Sequence, residues 1–150
     1  MDTNKQLDKD LYFVAVKVFI EDKGGRLFIF KDRFGYWDLP GGRLLKNEFS
    51  TPLEKVVIRK VKEELGSLVR YRLGKPIIFM RHQRSELLPD GNKKKVRIFA
   101  IGYSAKYLGG KIKLSPRHLE YKWAQLKGFK PERYFKGGWL KGVRDYIKLR

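Results

Sequence analysis

The chain contains no cysteine. Disulfide frameworks, thiolate metal centres and cysteine nucleophiles are therefore excluded. Histidine is nearly absent as well, with only His82 and His118, far apart in sequence. A metal site would have to draw mainly on oxygen ligands, which suits Mg²⁺ or Mn²⁺ better than zinc. Long hydrophobic runs are also missing. The longest is Leu11 to Val16, far short of the roughly 20 residues needed to span a bilayer. The opening stretch, Met1 to Gln6, is polar and lacks the apolar core of a signal peptide. A cytoplasmic protein with no membrane partner is expected.

Acidic residues are scarce: 16 Asp+Glu stand against 35 Lys+Arg, a formal charge of +19. Such an excess draws polyanions, whether nucleotides or nucleic acid, and it equally describes a solvated lysine-rich surface. The stretch from Tyr121 to Arg150 is basic throughout, and Lys93-Lys94-Lys95 forms a second cluster. Neither cluster defines a ligand. With 150 residues, 42% of them apolar, the chain is long and hydrophobic enough for one domain with a real core, which excludes a disordered basic tail.

Apolar patterning orders the elements. Leu11 to Ile20 is rich in β-branched and aromatic residues and reads as a buried strand. Glu21 to Gly25 supplies a turn, and Arg26 to Lys31 returns as a second strand. An extended aromatic segment, Arg33 to Gly42, ends in Pro40-Gly41-Gly42. Further strands are expected at Ile77 to His82, Val96 to Tyr103 and Tyr121 to Leu126, with a turn at Pro89-Asp90-Gly91-Asn92. A closing helix is expected from Trp139 to Leu149. No repeat or linker divides the chain, so residues 1–150 read as one α+β domain.

The best-marked helix is expected from Pro52 to Leu65. Thr51-Pro52-Leu53-Glu54 reads as a capping box with proline at the first helical position, and Gly66 as the stop. At about 100° per residue, Leu53, Val56, Val57, Val61 and Leu65 share one face. Glu64 falls inside that face and Glu63 on its edge beside Arg59. Both acids occupy the last turn, where the helix dipole disfavours negative charge, so each needs a cation as compensation. A metal ion would serve. Pairing of Glu63 with Arg59 and of Glu64 with Lys60, each at i,i+4 spacing, would serve as well. The glycines Gly41 and Gly42 before the helix allow close backbone approach to a ligand.

Together these residues resemble the signature of the Nudix hydrolases, Gly-x5-Glu-x7-Arg-Glu-apolar-x-Glu-Glu-x-Gly-apolar. Gly42 and Glu48 have the required spacing, and Arg59, Val61, Glu63, Glu64 and Gly66 keep their relative places in RKVKEELG. The preceding Trp37 to Arg43, WDLPGGR, is similar to the family's approach to this box. Two departures stand out. Ten residues separate Glu48 from Arg59, an insertion falling just before the helix. The Glu that should follow Arg59 is Lys60, which removes a group that serves many members as metal ligand or general base. In that respect the chain resembles the GDP-mannose mannosyl hydrolase branch, which also lacks this Glu and takes its base from a histidine. His118, in Arg117-His118-Leu119-Glu120-Tyr121-Lys122-Trp123, falls in the corresponding place. A loop histidine packed beside Trp123 is the plainer explanation. Arg117 fills the neighbouring ligand position and cannot bind a cation.

The resemblance implies a Nudix-type α/β/α sandwich, with a mixed β-sheet between helices. It also implies hydrolysis of a nucleoside diphosphate linked to another moiety, such as a nucleotide sugar or polyphosphate. Mg²⁺ or Mn²⁺ would be held by Glu63, Glu64, Glu48 and a carbonyl near Gly42. Glu64, Arg59, His118 and Glu120 are the implied catalytic group, with Arg59 orienting Glu48 or Glu63. Arg43 is placed to meet a phosphate, and Trp37 to stack on a base, although a surface arginine and a sheet aromatic explain them equally. Attack at phosphorus and attack at the sugar carbon both remain open. The alternative is a catalytically impaired Nudix-fold protein that binds RNA or nucleotides through its basic surface. Tyr12-Phe13 and the aromatic carboxy-terminal region offer a homodimer contact, and an intramolecular core explains them as well.

Overall fold

The computed structural model describes residues 8–150, so the polar opening stretch, Met1 to Gln6, lies outside the described residues. The chain runs β1 (Phe13–Glu21), β2 (Arg26–Asp32), β3 (Trp37–Asp38), β4 (Gly41–Arg43), α1 (Leu53–Leu65), β5 (Val69–Leu87), β6 (Lys93–Gly110), β7 (His118–Gln125) and α2 (Gly137–Lys148). The strands form one mixed sheet in the order β3-β2-β1-β6-β5, with β4 added against β1 and β7 against β2. Among the described residues only β1 and β6 pair in parallel; Phe13 lies opposite Ile98 and Glu21 opposite Lys106.

Alternation along β1 divides the core in two. Val16, Val18 and Ile20 point to the α1 side and join Phe28, Phe30, Val56, Val57, Val61 and Leu65. Ala15 and Phe19 point to the other side and join Ile78, Met80, Trp139, Val143 and Tyr146 under α2. The sheet is thus covered on both faces, the expected α/β/α sandwich. The aromatic carboxy-terminal region is spent on this second core: Phe19 and Tyr146 stack at 4.3 Å, and Phe135 is buried. Phe13 remains half exposed.

Two expectations need correction. The helix begins at Leu53 with Pro52 as its extended N-cap residue, and no side chain caps it. Thr51 therefore stands one residue too early to cap. The sequence also undersized the hairpin. Strands β5 and β6 have 19 and 18 residues and are joined through the expected turn, in which Leu88 N–H donates to the Asn92 carbonyl at 2.7 Å. Gly74 and Pro76 interrupt the local strand signal of β5. They are tolerated because β5 is an edge strand whose register shifts at this point, between Leu73, Pro76 and Ile78.

Candidate active site

The loop after β3 passes between β1 and the end of α1. Gly41 pairs with Lys17 across the sheet, and its φ of 142° together with its closeness to β1 requires glycine: a Cβ there would lie 2.0 Å from the Val16 carbonyl oxygen. From this position the Gly41 N–H donates to Glu64 Oε1 at 2.8 Å, which ties the loop to the last turn of α1. Glu64 sits on the apolar face, as its azimuth requires, with its side chain only 12% exposed. Burial pushes its carboxyl up to about 7, against the opposing pull of the Gly41 N–H and of Lys60.

The other carboxylates of the motif are already engaged. Glu48 lies in a single 3-10 turn, Lys46–Glu48, and meets Arg59 through two bonds, Nε to Oε2 at 2.8 Å and Nη2 to Oε1 at 2.7 Å. Its Oε1 also accepts the Leu45 N–H at 2.8 Å. The Arg59 bonds, with that amide, hold the Glu48 carboxyl below the ordinary carboxylate value. The insertion beyond Glu48 is absorbed in the turn from Phe49 to Pro52 and does not disturb this clamp. Arg59 Nη1 reaches on to Glu63 Oε1 at 2.9 Å. Arg59 therefore bonds both Glu48 and Glu63. Burial opposes ionisation of Glu63, yet Arg59 and Lys60 together keep its carboxyl below the usual value.

Lys60 occupies the middle of this arrangement. Its Nζ lies 3.4 Å from Glu63 Oε2, and its side chain is only 16% exposed. The stem lies over Gly42, where an added Cβ would come within 2.5 Å of Lys60 Cε. The i,i+4 pairing of Lys60 with Glu64 is not formed; the bond goes to Glu63, three residues along.

His118 is brought to Glu64 by the segment that precedes β7. The last carbonyls of α1 would otherwise lack partners. The carbonyl of Leu65 accepts the Lys113 N–H at 2.8 Å, and that of Glu64 the Ser115 N–H at 3.1 Å. Ser115 Oγ is hydrogen-bonded to His118 Nδ1 at 3.0 Å, and the imidazole stacks on Phe30 with centroids 3.7 Å apart. His118 Nε2 then faces Glu64 Oε2 at 3.8 Å. Burial pushes the His118 pKa below the ordinary imidazole value, which favours the neutral ring. Ser115 was missed in the sequence, where nothing marks a lone loop serine.

A second buried charge lies across β1. Lys17 is 5% exposed on the α2 side, and its Nζ donates to Asp38 Oδ1 at 2.8 Å and to the Leu39 carbonyl at 3.3 Å. It also stands 4.8 Å from the centre of the Trp139 ring. The only sequence signal was a single lysine within an apolar strand.

Glu120, Arg43 and Trp37, and the second histidine, His82, are placed elsewhere. Glu120 is more than half exposed, and its nearest cation is Lys31 at 3.7 Å, so it does not join Glu64 and His118. Arg43 pairs with Glu86 of β5 and lies over the Phe13 ring at 4.8 Å. Trp37 packs edge-on against Tyr134 at 5.4 Å and takes Lys31 over its ring. His82 accepts the Gly138 N–H at 3.1 Å through Nδ1 and stacks on Trp139, so it closes the start of α2.

The divalent ion implied by the resemblance can be tested against these contacts. Among the described residues, no three Asp, Glu or His side chains converge where they could hold a metal. Glu48 is committed to Arg59 and an amide, one oxygen of Glu64 is committed to Gly41, and an ammonium already lies beside Glu63. The residues as arranged do not fit a divalent ion.

Comparison with known proteins agrees with this fold. A family model described as NUDIX domain matches residues 11–141. No curated protein sequence matches the chain. Among solved structures, a MutT protein from Methanosarcina mazei Go1 superposes with a TM-score of 0.62 at 24% identity, covering 94% of both chains. An ADP-ribose pyrophosphatase from Streptococcus suis 89-1591 gives 0.60 at 14% identity, covering 93% of this chain and 92% of its own. The dihydroneopterin triphosphate pyrophosphohydrolase of E. coli gives 0.62 at 14% identity, covering 94% of this chain and all of its own.

Proposed function

The chain belongs to the Nudix family, and from that premise we propose that it hydrolyses a nucleoside diphosphate derivative at the end of α1, beside Gly41 and Gly42. The observation that carries this reading is the buried Glu64, fixed through one oxygen by Gly41 N–H and facing His118 Nε2 through the other. A carboxyl near neutrality and a neutral imidazole form a pair able to take a proton at working pH.

Water attacks phosphorus, and its oxygen forms the new P–O bond as the bridging P–O bond breaks. The water's proton passes to the Glu64–His118 pair, and the bridging oxygen leaves with the second product. Arg59 acts through Glu48 and Glu63, whose orientation it sets, and so is a positioning residue. Family members generally use a divalent metal ion. The contacts around Lys60 do not present a site for one, and no step here depends on it.

Nucleotide sugars, dinucleoside polyphosphates and nucleoside triphosphates, assayed beside Glu64→Gln and His118→Gln, test the reading. Turnover of one class should fall by about 10²–10⁴-fold in each variant. The products locate the broken bond: free sugar with intact nucleoside diphosphate would mean attack at carbon. A second reading, a nucleotide-binding protein without turnover, is favoured by the engagement of Glu48 and Glu63 by Arg59 and Lys60. Nucleotide binding with no hydrolysis of any class would select it.

A further inference from the structure

We propose that the ammonium of Lys60 takes the place of a divalent cation in this site, so that a substrate diphosphate is anchored by Lys60 over Gly42 without a metal ion. This rests on the reading of the Gly41-Gly42 loop and the end of α1 as a diphosphate site.

Position supplies the first argument. Lys60 directly follows Arg59, where the family signature has a carboxylate, so a positive side chain stands where a cation's ligand would. Geometry supplies the second. A lysine on a helix surface normally extends into water to keep its rotamer freedom and its hydration. Lys60 instead lies down over the loop, with its stem in the space that Gly42 leaves by having no Cβ and its Nζ beside Glu63. That pose costs side-chain entropy and is held by only one long hydrogen bond among the described residues. An ammonium has three N–H donors, so two further donors remain for phosphate oxygens.

Charge supplies the third argument. The field of Lys60 reaches Glu48, Glu63, Glu64 and His118. It is the cation common to all four groups, the part a bound metal would otherwise play. An ammonium and a divalent ion repel each other and compete for the same Glu63 oxygen, so the two are mutually exclusive. The failure of three ligands to converge agrees with that exclusion.

Two arms test the proposal on the full chain. In the first, free and bound Mn²⁺ are counted by electron paramagnetic resonance for the native chain, Lys60→Glu and Lys60→Gln, with no nucleotide present. The expected result is no saturable Mn²⁺ site in the native chain and a saturable site in Lys60→Glu that Glu63→Gln removes. A native site as tight as that of Lys60→Glu, or no gain on substitution, overturns the proposal.

In the second arm, ADP binding is titrated in excess EDTA and again in Mg²⁺. The native affinity should be the same within twofold in both, and Lys60→Gln, which removes the positive charge, should weaken it at least tenfold in EDTA. ADP binding that requires Mg²⁺ overturns the proposal, as does binding indifferent to Lys60→Gln. Absence of turnover across the substrate panel defeats the hydrolase reading alone, because the Mn²⁺ arm needs neither substrate nor catalysis.

Discussion

Gly41 and Glu64 are 23 residues apart in sequence, yet the amide of one donates to the carboxyl of the other at 2.8 Å. This bond joins the glycine loop to the last turn of α1. It fixes one oxygen of the single acid that the helix places on its apolar face and leaves the other toward His118.

The burial of Glu64 should be visible in the pH dependence of stability. Its folded pKa of about 7 lies above the ordinary 4.5, so the stability linked to its protonation is fully present below about pH 4.5 and is lost as pH rises through about 7. Glu64→Gln should therefore match the native chain at pH 4.5 and exceed it at pH 8. A gain on the order of 2–3 kcal/mol is expected there. Urea unfolding of both proteins at the two pH values measures it; equal stability at pH 8 would contradict the burial argument.

Adjacent glycines should respond differently. At Gly41 an added Cβ meets the Val16 backbone at 2.0 Å, and the φ of 142° is strained for any L side chain. Gly41→Ala should destabilise by roughly 3 kcal/mol or more, since the backbone itself must move. At Gly42 the Cβ meets only the far end of Lys60. Gly42→Ala should fold with a near-native melting temperature while ADP binding falls, because Lys60 is pushed from its place. Thermal melts and ADP titrations on the pair separate the two effects.

Asp38 partners a buried lysine, so Asp38→Asn leaves the Lys17 ammonium with neutral oxygens and the Trp139 face but no countercharge. A loss of roughly 1–3 kcal/mol is expected, since Asp38 is itself about a third exposed. The double variant Lys17→Met with Asp38→Asn should recover much of that loss. A double-mutant cycle by chemical denaturation tests this coupling.

The Arg59–Glu48 clamp depends on two parallel bonds to one carboxylate. Arg59→Lys keeps the charge but cannot make both, so it should restore only part of what Arg59→Ala loses in melting temperature and in turnover. Full rescue by lysine would mean that charge alone, rather than the geometry of the fork, holds Glu48.

What the sequence revealed and what it hid follow from the range of each interaction. Helix α1 was legible because Val56, Val57, Val61 and Leu65 repeat at helical spacing, and Gly66, with φ of 91°, ends it as expected. The cap was misread because proline occupies the cap position itself, a shift of one residue that composition does not reveal. The ends of β5 and β6 were invisible: basic residues and the Gly74–Pro76 break hide strands that are held by pairing with each other rather than by burial. Within the site, the glycines and the helix acids were readable from local spacing. Glu86 as the partner of Arg43, and Asp38 as the partner of Lys17, lie 43 and 21 residues away and emerge only when the sheet assembles.

On the proposed reading, Glu64 is the working carboxyl of a diphosphate hydrolase. Product analysis of the native chain and Glu64→Gln over the nucleotide panel, with Mg²⁺ and with EDTA, tests it most directly. Turnover of one diphosphate-containing class should fall at least a hundredfold in a variant still folded at pH 7. Native rates in Glu64→Gln would contradict it.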